Sequence, residues 1–317
     1  MPELPEVEMV RRGLEELIVG RRIIEVIVLN PKSFQVDQVD LPQVINAQIK
    51  TVRRFAKVLV IDLSTDNSLV IHLKMTGQMV IRDEDIAKSV WGAGHPTDSF
   101  LANLPDRSTK VIFNLTAPEP PPQPDCLKQV SARLFFNDQR IFGWIKVVPT
   151  NLVESVPFIA KLGPTPLDPI GQPLSHTQSQ TAEAQFLARA RRHTKACIKA
   201  VILDQTVIAG VGNIYADEAL WAAKVHPATP VRDLSDSQLI TIFQQAGHIM
   251  ATSLAAGGST MRTYFQVDGT PGSYLEAFAN VFGRDGYPCP RCGTPIEKHR
   301  LAGRGTHLCP RCQPRHQ

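Results

Sequence analysis

The sequence predicts a multidomain protein of the α+β class. Runs with β-strand character concentrate in residues 1–150, helical periodicity dominates residues 181–280, and two Cys-x-x-Cys pairs lie near the end of the chain. At 317 residues and 43% hydrophobic content, the chain can form more than one domain with a buried core. No run is long and apolar enough to span a bilayer, so we expect a soluble, cytoplasmic protein.

The chain begins Met-Pro-Glu-Leu-Pro-Glu-Val-Glu, so removal of the initiator methionine would make Pro2 the N-terminal residue. An α-amino group titrates near ~7.7–8.0, well below a lysine at ~10.4, which leaves part of it uncharged at neutral pH. Such an amine, beside the carboxylate of Glu3, can attack an aldehyde-like carbon and form an imine. The alternative is that Pro2 and Pro5 only stiffen the start of a helix.

A helix followed by β-strands is predicted for residues 1–150. Apolar residues recur at helical spacing from Val7 up to a stop at Gly20, which predicts an amphipathic helix. In residues 69–75 apolar side chains alternate, as in a strand half-buried in an antiparallel sandwich. The stretch of about 83–130, rich in proline, has the composition of an extended surface insertion. The runs with strand character are 22–29, 58–63, 69–75, 111–115, 133–136 and 144–148.

Residues 151–180 are predicted to be a linker, and residues 181–280 a helical domain. Gly210 and Gly212 allow a close approach of the backbone, and Asn213 after them is a good helix N-cap. A helix start that follows glycines is a potential anion site, although an ordinary turn explains the same residues equally well. The candidate helices are 184–190, 195–203, 214–223 and 236–254.

Residues 281–317 are predicted to be a zinc ribbon with one structural zinc ion. Sixteen residues separate the two Cys-x-x-Cys pairs, a spacing typical of a four-thiolate zinc site. Two disulfides are the alternative, but charged residues interrupt the first apolar stretch, so we expect no secretory leader and a reducing compartment. The predicted ligands are Cys289, Cys292, Cys309 and Cys312.

The basic charge of the chain lies in this tail. Residues 1–150 contain 18 Lys and Arg against 18 Asp and Glu, residues 151–279 contain 9 against 10, and residues 280–317 contain 7 against 2. The net charge of +4 therefore comes from the zinc-bearing segment. A basic zinc ribbon is suited to neutralising the phosphates of nucleic acid.

Six short motifs, in order along the chain, resemble those of the bacterial formamidopyrimidine-DNA glycosylases. These enzymes remove 8-oxoguanine and ring-opened purines from DNA. Leu4 favours this branch over the related endonuclease VIII branch, which has glycine there and prefers oxidised pyrimidines. The motifs are PELPEVE from Pro2, HLKMTG from His72, DQRIFG from Asp138, GNIYADE from Gly212, GGST from Gly257 and GRGT from Gly303.

The resemblance implies a fold and a reaction. The fold is an N-terminal helix on an antiparallel β-sandwich, then a helix-two-turn-helix domain and a zinc ribbon, with damaged duplex DNA in the cleft and a monomeric enzyme. The activity is that of a bifunctional DNA glycosylase and abasic-site lyase. Pro2 would attack C1′ of the damaged nucleotide, and Glu3 would assist opening of the sugar ring. Lys57 would assist β-elimination, and Arg304 would bind phosphate for δ-elimination.

The damaged nucleotide must leave the stack before its C1′ can be reached. The resemblance assigns Met75, Arg140 and Phe142 to filling the gap, although Met75 and Phe142, taken singly, are more often core residues. Lys74 stands where the family usually has glycine, and Lys110 is near the position of a family histidine that contacts DNA. The other expected DNA contacts are Lys195, Lys199, Asn213, Tyr215 and Arg262.

Two other functional classes fit part of the sequence. A damage-binding protein without turnover would keep the cleft and the zinc ribbon, whereas a zinc-ribbon transcription accessory would leave the N-terminus unexplained. The presence of Pro2, Glu3, Lys57 and Arg304 favours the enzyme.

Overall fold

The computed structural model contains two compact units. The first contains Pro2 and the described residues of Glu6–Ala160, and the second contains Glu3–Pro5 and the described residues from Lys161 onward. In the part of the chain that is described, no helix is both long enough and apolar enough to cross a membrane. The described residues are 2–36, 39, 41–83, 90–94, 103–118, 129–257 and 278–315.

Helix α1, Leu4–Ile18, supplies one side of the core of the first unit. Its apolar residues are spaced three or four apart, so they share one face of the helix. The helix ends before Gly20, whose φ of +86° suits glycine, as the sequence predicts. The fully buried residues of that face are Val7, Val10, Leu14 and Ile18.

Within the described residues of the first unit, ten strands form two five-stranded sheets around this core. They are β1 Ile23–Val28, β2 Phe34–Val36, β3 Ile49–Phe55, β4 Val58–Leu63, β5 Asn67–His72, β6 Gly77–Asp83, β7 Val90–Gly94, β8 Thr109–Leu115, β9 Ala132–Asp138 and β10 Trp144–Pro149. The strand orders are β1-β8-β9-β6-β7 and β2-β10-β5-β4-β3. Among the strand pairs that the structure describes here, all are antiparallel except β2 with β10, so the predicted antiparallel sandwich has one parallel edge. Helix α2, Pro157–Ala160, follows the last strand.

Strand β5 is more deeply buried than the alternating pattern predicts. All six of its residues are buried, because β10 and β4 pair with its two edges and the segment after β10 covers its outer face. The hydroxyls of Ser68 and Thr150 lie 2.9 Å apart. The rings of His72 and Phe158 pack edge to face, with centroids 4.7 Å apart. The prediction of a half-buried strand is therefore wrong.

The strand also ends earlier than predicted, at His72 instead of residue 75. Lys74 has a φ of +51°, in the left-handed region, and this turns the chain out of the sheet. Met75 is consequently 38% exposed and does not share the buried face of the strand.

Part of the expected surface insertion of about 83–130 belongs to the sheets. Strand β7 pairs with β6, and β8 lies between β1 and β9. The indole of Trp91 packs so closely on Gly13 of α1 that a Cβ atom there would overlap the ring. This contact explains a glycine inside a helix, which costs about 1 kcal/mol relative to alanine. Residues 84–89, 95–102 and 119–128 lie outside the described part of the chain.

The second unit is helical, with a zinc-ribbon hairpin. Helix α3 begins inside the predicted linker, because Ser175 and Gln178 form a capping box at its start. Ser235 and Gln238 cap α6 in the same way, and each cap stabilises its helix by ~1 kcal/mol. The helices are α3 His176–Ala190, α4 Ile198–Leu203, α5 Asn213–Ala222 and α6 Asp236–Ala255.

The zinc ribbon contains an antiparallel hairpin of β11, Glu297–Leu301, and β12, Arg304–Leu308. Ala302 and Gly303 join the strands with φ values of +50° and +72°. Two consecutive left-handed residues are typical of the tight turn that matches the twist of a hairpin. Trp221, near the end of α5, packs against the base of the ribbon.

Candidate active site and nucleic-acid interface

Glu3, a predicted catalytic residue, is buried and caps helix α5. Its carboxylate accepts the backbone N–H of Gly212 at 2.7 Å and that of Ile214 at 3.0 Å. These amides lack partners within the helix, so the carboxylate satisfies them and interacts favourably with the positive end of the helix dipole. The Leu4 N–H donates to the carbonyl of Gly210 at 3.1 Å. Pro2, the residue before Glu3 in the chain, is also buried.

The predicted anion site at the start of α5 therefore holds a carboxylate of the chain itself. Gly212 is the N-cap residue, and Asn213, which the sequence favoured as the cap, is the first residue of the helix. A Cβ atom on Gly212 would overlap the Glu3 carboxyl group, and one on Gly210 would overlap the Leu4 side chain. The two glycines thus make room for the N-terminal residues, and Glu3 occupies the amides that a phosphate would need.

A buried ion pair fixes α1 to strand β3. The Glu8 carboxylate, which is fully buried, accepts hydrogen bonds from Arg54 at 2.9 Å, Arg11 at 3.0 Å and Arg12 at 3.0 Å. Burial alone would raise the pKa of Glu8, but hydrogen bonds from Arg11 and Arg54 outweigh it and hold that pKa below its usual value. Glu8 is therefore charged at neutral pH, and it fixes the helix that begins next to the predicted catalytic residues.

The positive charges of Lys57 and Lys74 both lower the pKa of His72, which is neutral. Lys57 follows Ala56 in the turn between β3 and β4 and is only 2% exposed. Burial first, and then the positive charges of Lys74 and Lys57, lower the pKa of His72 to about 3. Nδ1 of His72 accepts the backbone N–H of Lys74 at 3.0 Å. The imidazole is therefore uncharged at pH 7.

Met75, Arg140 and Phe142 lie together on the surface of the first unit. Nη1 of Arg140 is 3.2 Å from the sulfur of Met75, and its guanidinium carbon is 4.9 Å from the centroid of the Phe142 ring. The Phe142 side chain is 50% exposed. These three residues, called the wedge cluster below, are an exposed apolar pair around a cation, which excludes the alternative that Met75 and Phe142 are core residues.

Asp138 binds the segment that carries Arg140 and Phe142 and also the residue next to Met75, so it fixes the backbone of the wedge cluster. The sequence analysis did not identify this role. The buried carboxylate of Asp138 accepts the backbone N–H groups of Arg140 at 3.1 Å, Phe142 at 2.8 Å and Gly143 at 2.6 Å. It also accepts the hydroxyl of Thr76, the neighbour of Met75. The sequence signal for this role was available, because an aspartate at the start of a turn commonly accepts hydrogen bonds from the backbone amides that follow.

The four predicted zinc ligands converge. Their sulfur atoms all lie within 4.8 Å of one another, with Cys292 and Cys309 at 3.5 Å and Cys289 and Cys312 at 3.9 Å. Tetrahedral zinc with Zn–S distances of ~2.3 Å needs sulfur atoms ~3.8 Å apart, whereas a disulfide needs ~2 Å. The indole N–H of Trp221 donates to the Cys289 sulfur at 3.4 Å, as outer partners of zinc ligands do.

Lys199, expected to contact phosphate, is instead fully buried and holds the zinc hairpin. Its Nζ donates to Asp217 at 2.5 Å, to the hydroxyl of Thr306 at 2.8 Å and to the carbonyl of Gly305 at 3.1 Å. Asn213 donates its amide to the same carbonyl at 3.0 Å. The expectation of a surface phosphate contact at Lys199 is corrected, because its charge is used inside the unit. The start of α5 thus contacts both Glu3 and the strand that carries Arg304.

Comparison with known proteins identifies the family. A model of the formamidopyrimidine-DNA glycosylase N-terminal domain matches residues 1–145, and a model of the H2TH domain of the same glycosylase matches residues 170–265. A zinc finger found in FPG and IleRS matches residues 286–315. The chain belongs to the formamidopyrimidine-DNA glycosylase family.

Similar proteins cover almost the whole chain. The formamidopyrimidine-DNA glycosylase of Enterococcus faecalis is 38% identical over 317 residues, which are 99% of this chain and 97% of that one. The enzyme of Listeria innocua is 37% identical over 315 residues, or 99% and 100%. Solved structures of Lactococcus lactis Fpg with abasic-site DNA and of a mutant of that protein with Fapy-dG DNA have 30% identity and a TM-score of 0.76, again over 99% of this chain and 100% of that chain.

These findings confirm several predictions. The family, the α+β multidomain fold class with its zinc finger, and one structural zinc ion are confirmed. So is the enzyme class, a bifunctional DNA glycosylase and abasic-site lyase of base excision repair. Arg304 is exposed directly after the turn of the zinc hairpin.

Two further expected DNA contacts of this family member are also buried. The hydroxyl of Tyr215 lies 2.7 Å from that of Ser253, between α5 and α6, and Nζ of Lys110 donates to the carbonyl of Arg107 at 2.7 Å. Neither side chain reaches an open surface, so both expectations are corrected. Lys195 is exposed, as a phosphate contact requires. Arg262 lies outside the described residues.

Proposed function

We propose that this chain excises 8-oxoguanine and formamidopyrimidine bases from duplex DNA through an imine at Pro2, followed by β,δ-elimination. The observation that carries this proposal is the Glu3 carboxylate, fixed by two amides of α5 beside the residue that becomes the N-terminal amine. The Lactococcus lactis structures with Fapy-dG and abasic-site DNA support the substrate class. We also propose a monomeric, cytoplasmic enzyme.

The reaction begins at the nitrogen of Pro2. Its lone pair forms a bond to C1′ while the bond from C1′ to the damaged base breaks, and the base leaves with the bonding electrons and takes up a proton. The Glu3 carboxylate takes up the proton that the Pro2 nitrogen loses on bonding to C1′ and delivers it to the ring oxygen as the C1′–O4′ bond breaks, which gives a positively charged iminium because proline is a secondary amine. Loss of a C2′ proton then expels the 3′ phosphate, a second elimination expels the 5′ phosphate, and water releases the enzyme.

Cations outside the N-terminus assist these eliminations. Lys57 is buried, and its positive charge helps to lower the pKa of His72, whose imidazole is neutral. We assign Lys57 to the phosphate that leaves first. Arg304 presents its planar guanidinium at the hairpin turn, where it can bind a phosphate through two parallel hydrogen bonds. Lys195 and Asn213 complete the proposed backbone contacts.

The wedge cluster fills the gap that the extruded nucleotide leaves in the DNA duplex. Extrusion of a nucleotide costs a few kcal/mol, and apolar side chains inserted between base steps recover part of it. Met75 and Phe142 supply such side chains, and the guanidinium of Arg140 lies between them with donors for the orphaned partner base.

Asp138→Asn should disturb this cluster without removing any side chain that contacts DNA. An amide offers one acceptor oxygen where the carboxylate offers two, so at least one buried N–H of the loop loses its partner, at about 1–3 kcal/mol. We expect discrimination between bases opposite the lesion, measured as a ratio of kcat/KM values, to fall about tenfold. Cleavage of a preformed abasic site should change less.

Asp62→Asn is the matched control for Asp138→Asn. Asp62 is an aspartate of the same sandwich, and it accepts from Arg53 at 2.5 Å and from Ser68 at 2.6 Å. Its substitution should cost similar stability and leave the discrimination ratio intact. If both variants change the ratio equally, the role of Asp138 in the wedge cluster is refuted.

Base release and strand cleavage on three duplexes test the proposed function. Duplexes with one 8-oxoguanine, one formamidopyrimidine or no lesion should show release and phosphate-ended strand products only for the first two. Glu3→Gln should still bind them but lose base release about 100-fold or more. Binding without any release would indicate the damage-binding alternative, and equal binding of all three duplexes would indicate an accessory without lesion specificity.

A further inference from the structure

Lys74 carries a positive charge for which the described residues provide no counter-charge. The side chain is half-buried, and its Nζ lies 5.0 Å from the centroid of the Phe158 ring. None of the described carboxylates lies within ion-pair distance of it. Burial lowers the pKa of Lys74, which shows that the charged form is disfavoured as the protein stands.

The backbone at Lys74 is also unfavourable. A φ of +51° places a side chain in the left-handed region, at a cost of about 1 kcal/mol that a glycine would avoid. Strain of this kind persists where the surroundings require a particular side chain, and it concentrates at functional sites. The next residue along the chain is Met75 of the wedge cluster.

The neighbours of Lys74 make its surroundings positive. The positive charges of Lys74 and Lys57 both lower the pKa of His72, so the imidazole in this region is neutral and adds no positive charge of its own. Phe158 holds the ammonium through a cation–π contact, which positions the charge without neutralising it. The Lys74 ammonium is half-buried, is positioned by Phe158 and has no counter-charge among the described residues. It also precedes a residue of the wedge cluster in the chain, so it is suited to bind an anion there.

We propose that Lys74 binds a backbone phosphate of the damaged DNA next to the step that Met75 enters. This inference rests on the proposed function and adds a contact to it. The alternative is that Lys74 only packs its alkyl chain on Phe158. The two differ in one measurable property, because a phosphate contact releases condensed counterions from DNA and packing does not.

The salt dependence of binding to a duplex with a tetrahydrofuran abasic-site analogue tests this proposal. For Lys74→Met, which keeps the apolar stem, the slope of log K against log salt should become shallower by about 0.9. Lys74→Gly fits the left-handed backbone, so it should fold normally and show the same change. Lys74→Arg should keep the wild-type slope.

Lys50→Met is the matched control, because Lys50 is exposed at the far end of the same β3–β4 pair from Lys57. Its slope should equal that of the wild type. If wild type binds the analogue and Lys74→Met has the same slope, the Lys74 contact is refuted while the proposed function stands. If the wild-type protein does not bind the analogue at all, the proposed function itself fails.

Discussion

Protein that keeps a residue in front of Pro2 should bind lesion-containing DNA and fail to cleave it. When Met1 remains, the nitrogen of Pro2 is part of a tertiary amide, whose lone pair is delocalised and cannot attack C1′. The loss should be complete for base release through the imine and for the coupled strand cleavage. Borohydride, which reduces an iminium to a stable amine, should trap the wild-type protein on an 8-oxoguanine duplex and leave the extended protein free.

A Gly-Ser extension ahead of Met1 is the simplest blocked form. Its zinc content and its affinity for a non-cleavable analogue should match those of the wild type, which separates loss of the amine from loss of the fold. Pro2→Gly is a weaker control, because an N-terminal glycine still has an amine and can form a smaller amount of adduct. Wild-type cleavage rates in the extended protein would show that Pro2 is not the nucleophile.

Cys292→Ser should lose zinc and DNA affinity together. A serine hydroxyl is not a zinc ligand at neutral pH, and zinc binding supplies about 10–16 kcal/mol of folding free energy in zinc-finger peptides. Strand β11 is mostly exposed, so the hairpin has little apolar burial of its own to replace the metal. Because this hairpin carries Arg304, we expect affinity for lesion DNA to fall about 100-fold, or about 2.7 kcal/mol.

Cys197→Ser makes the same chemical change outside the zinc site. Cys197 is a free cysteine at the start of α4 and is not one of the four clustered thiols, so its variant should keep one zinc ion and normal affinity. Native mass spectrometry counts the metal, and titration of a non-cleavable duplex measures the affinity. A Cys292→Ser protein that loses zinc and still binds normally would refute the link between metal and Arg304.

Local patterns predict elements when one face is apolar, and they fail when a functional contact determines the residues. The apolar periodicity of α1 was sufficient to predict that helix, and the cysteine spacing was sufficient to predict the zinc site. Strand β3, Ile49–Phe55, was missed because it contains adjacent arginines, one of which turns inward to the buried Glu8. Strand β7 was missed because its glycines hide the alternation of apolar and polar side chains that predicts a strand. Its apolar contact is the packing of Trp91 on α1.

The sequence predicted which residues belong to the site better than it predicted the contacts that these residues make. The wedge cluster follows from motif positions, and its residues do lie together. The cap on α5 is supplied by Glu3, more than two hundred residues earlier in the chain, so no local pattern near α5 could reveal it. Lys199 resembles a surface phosphate contact in sequence, but its partners include Thr306, far along the chain.

The central claim is that the N-terminal nitrogen of Pro2 forms the covalent bond to the sugar. The most direct measurement is to reduce the complex with an 8-oxoguanine duplex, digest it with nuclease and trypsin, and locate the sugar remnant by mass spectrometry. The account predicts a remnant on the peptide Pro2–Arg11, attached to its N-terminal nitrogen, with Met1 absent. A remnant on Lys57 or Lys74, or on a peptide that still carries Met1, would contradict it.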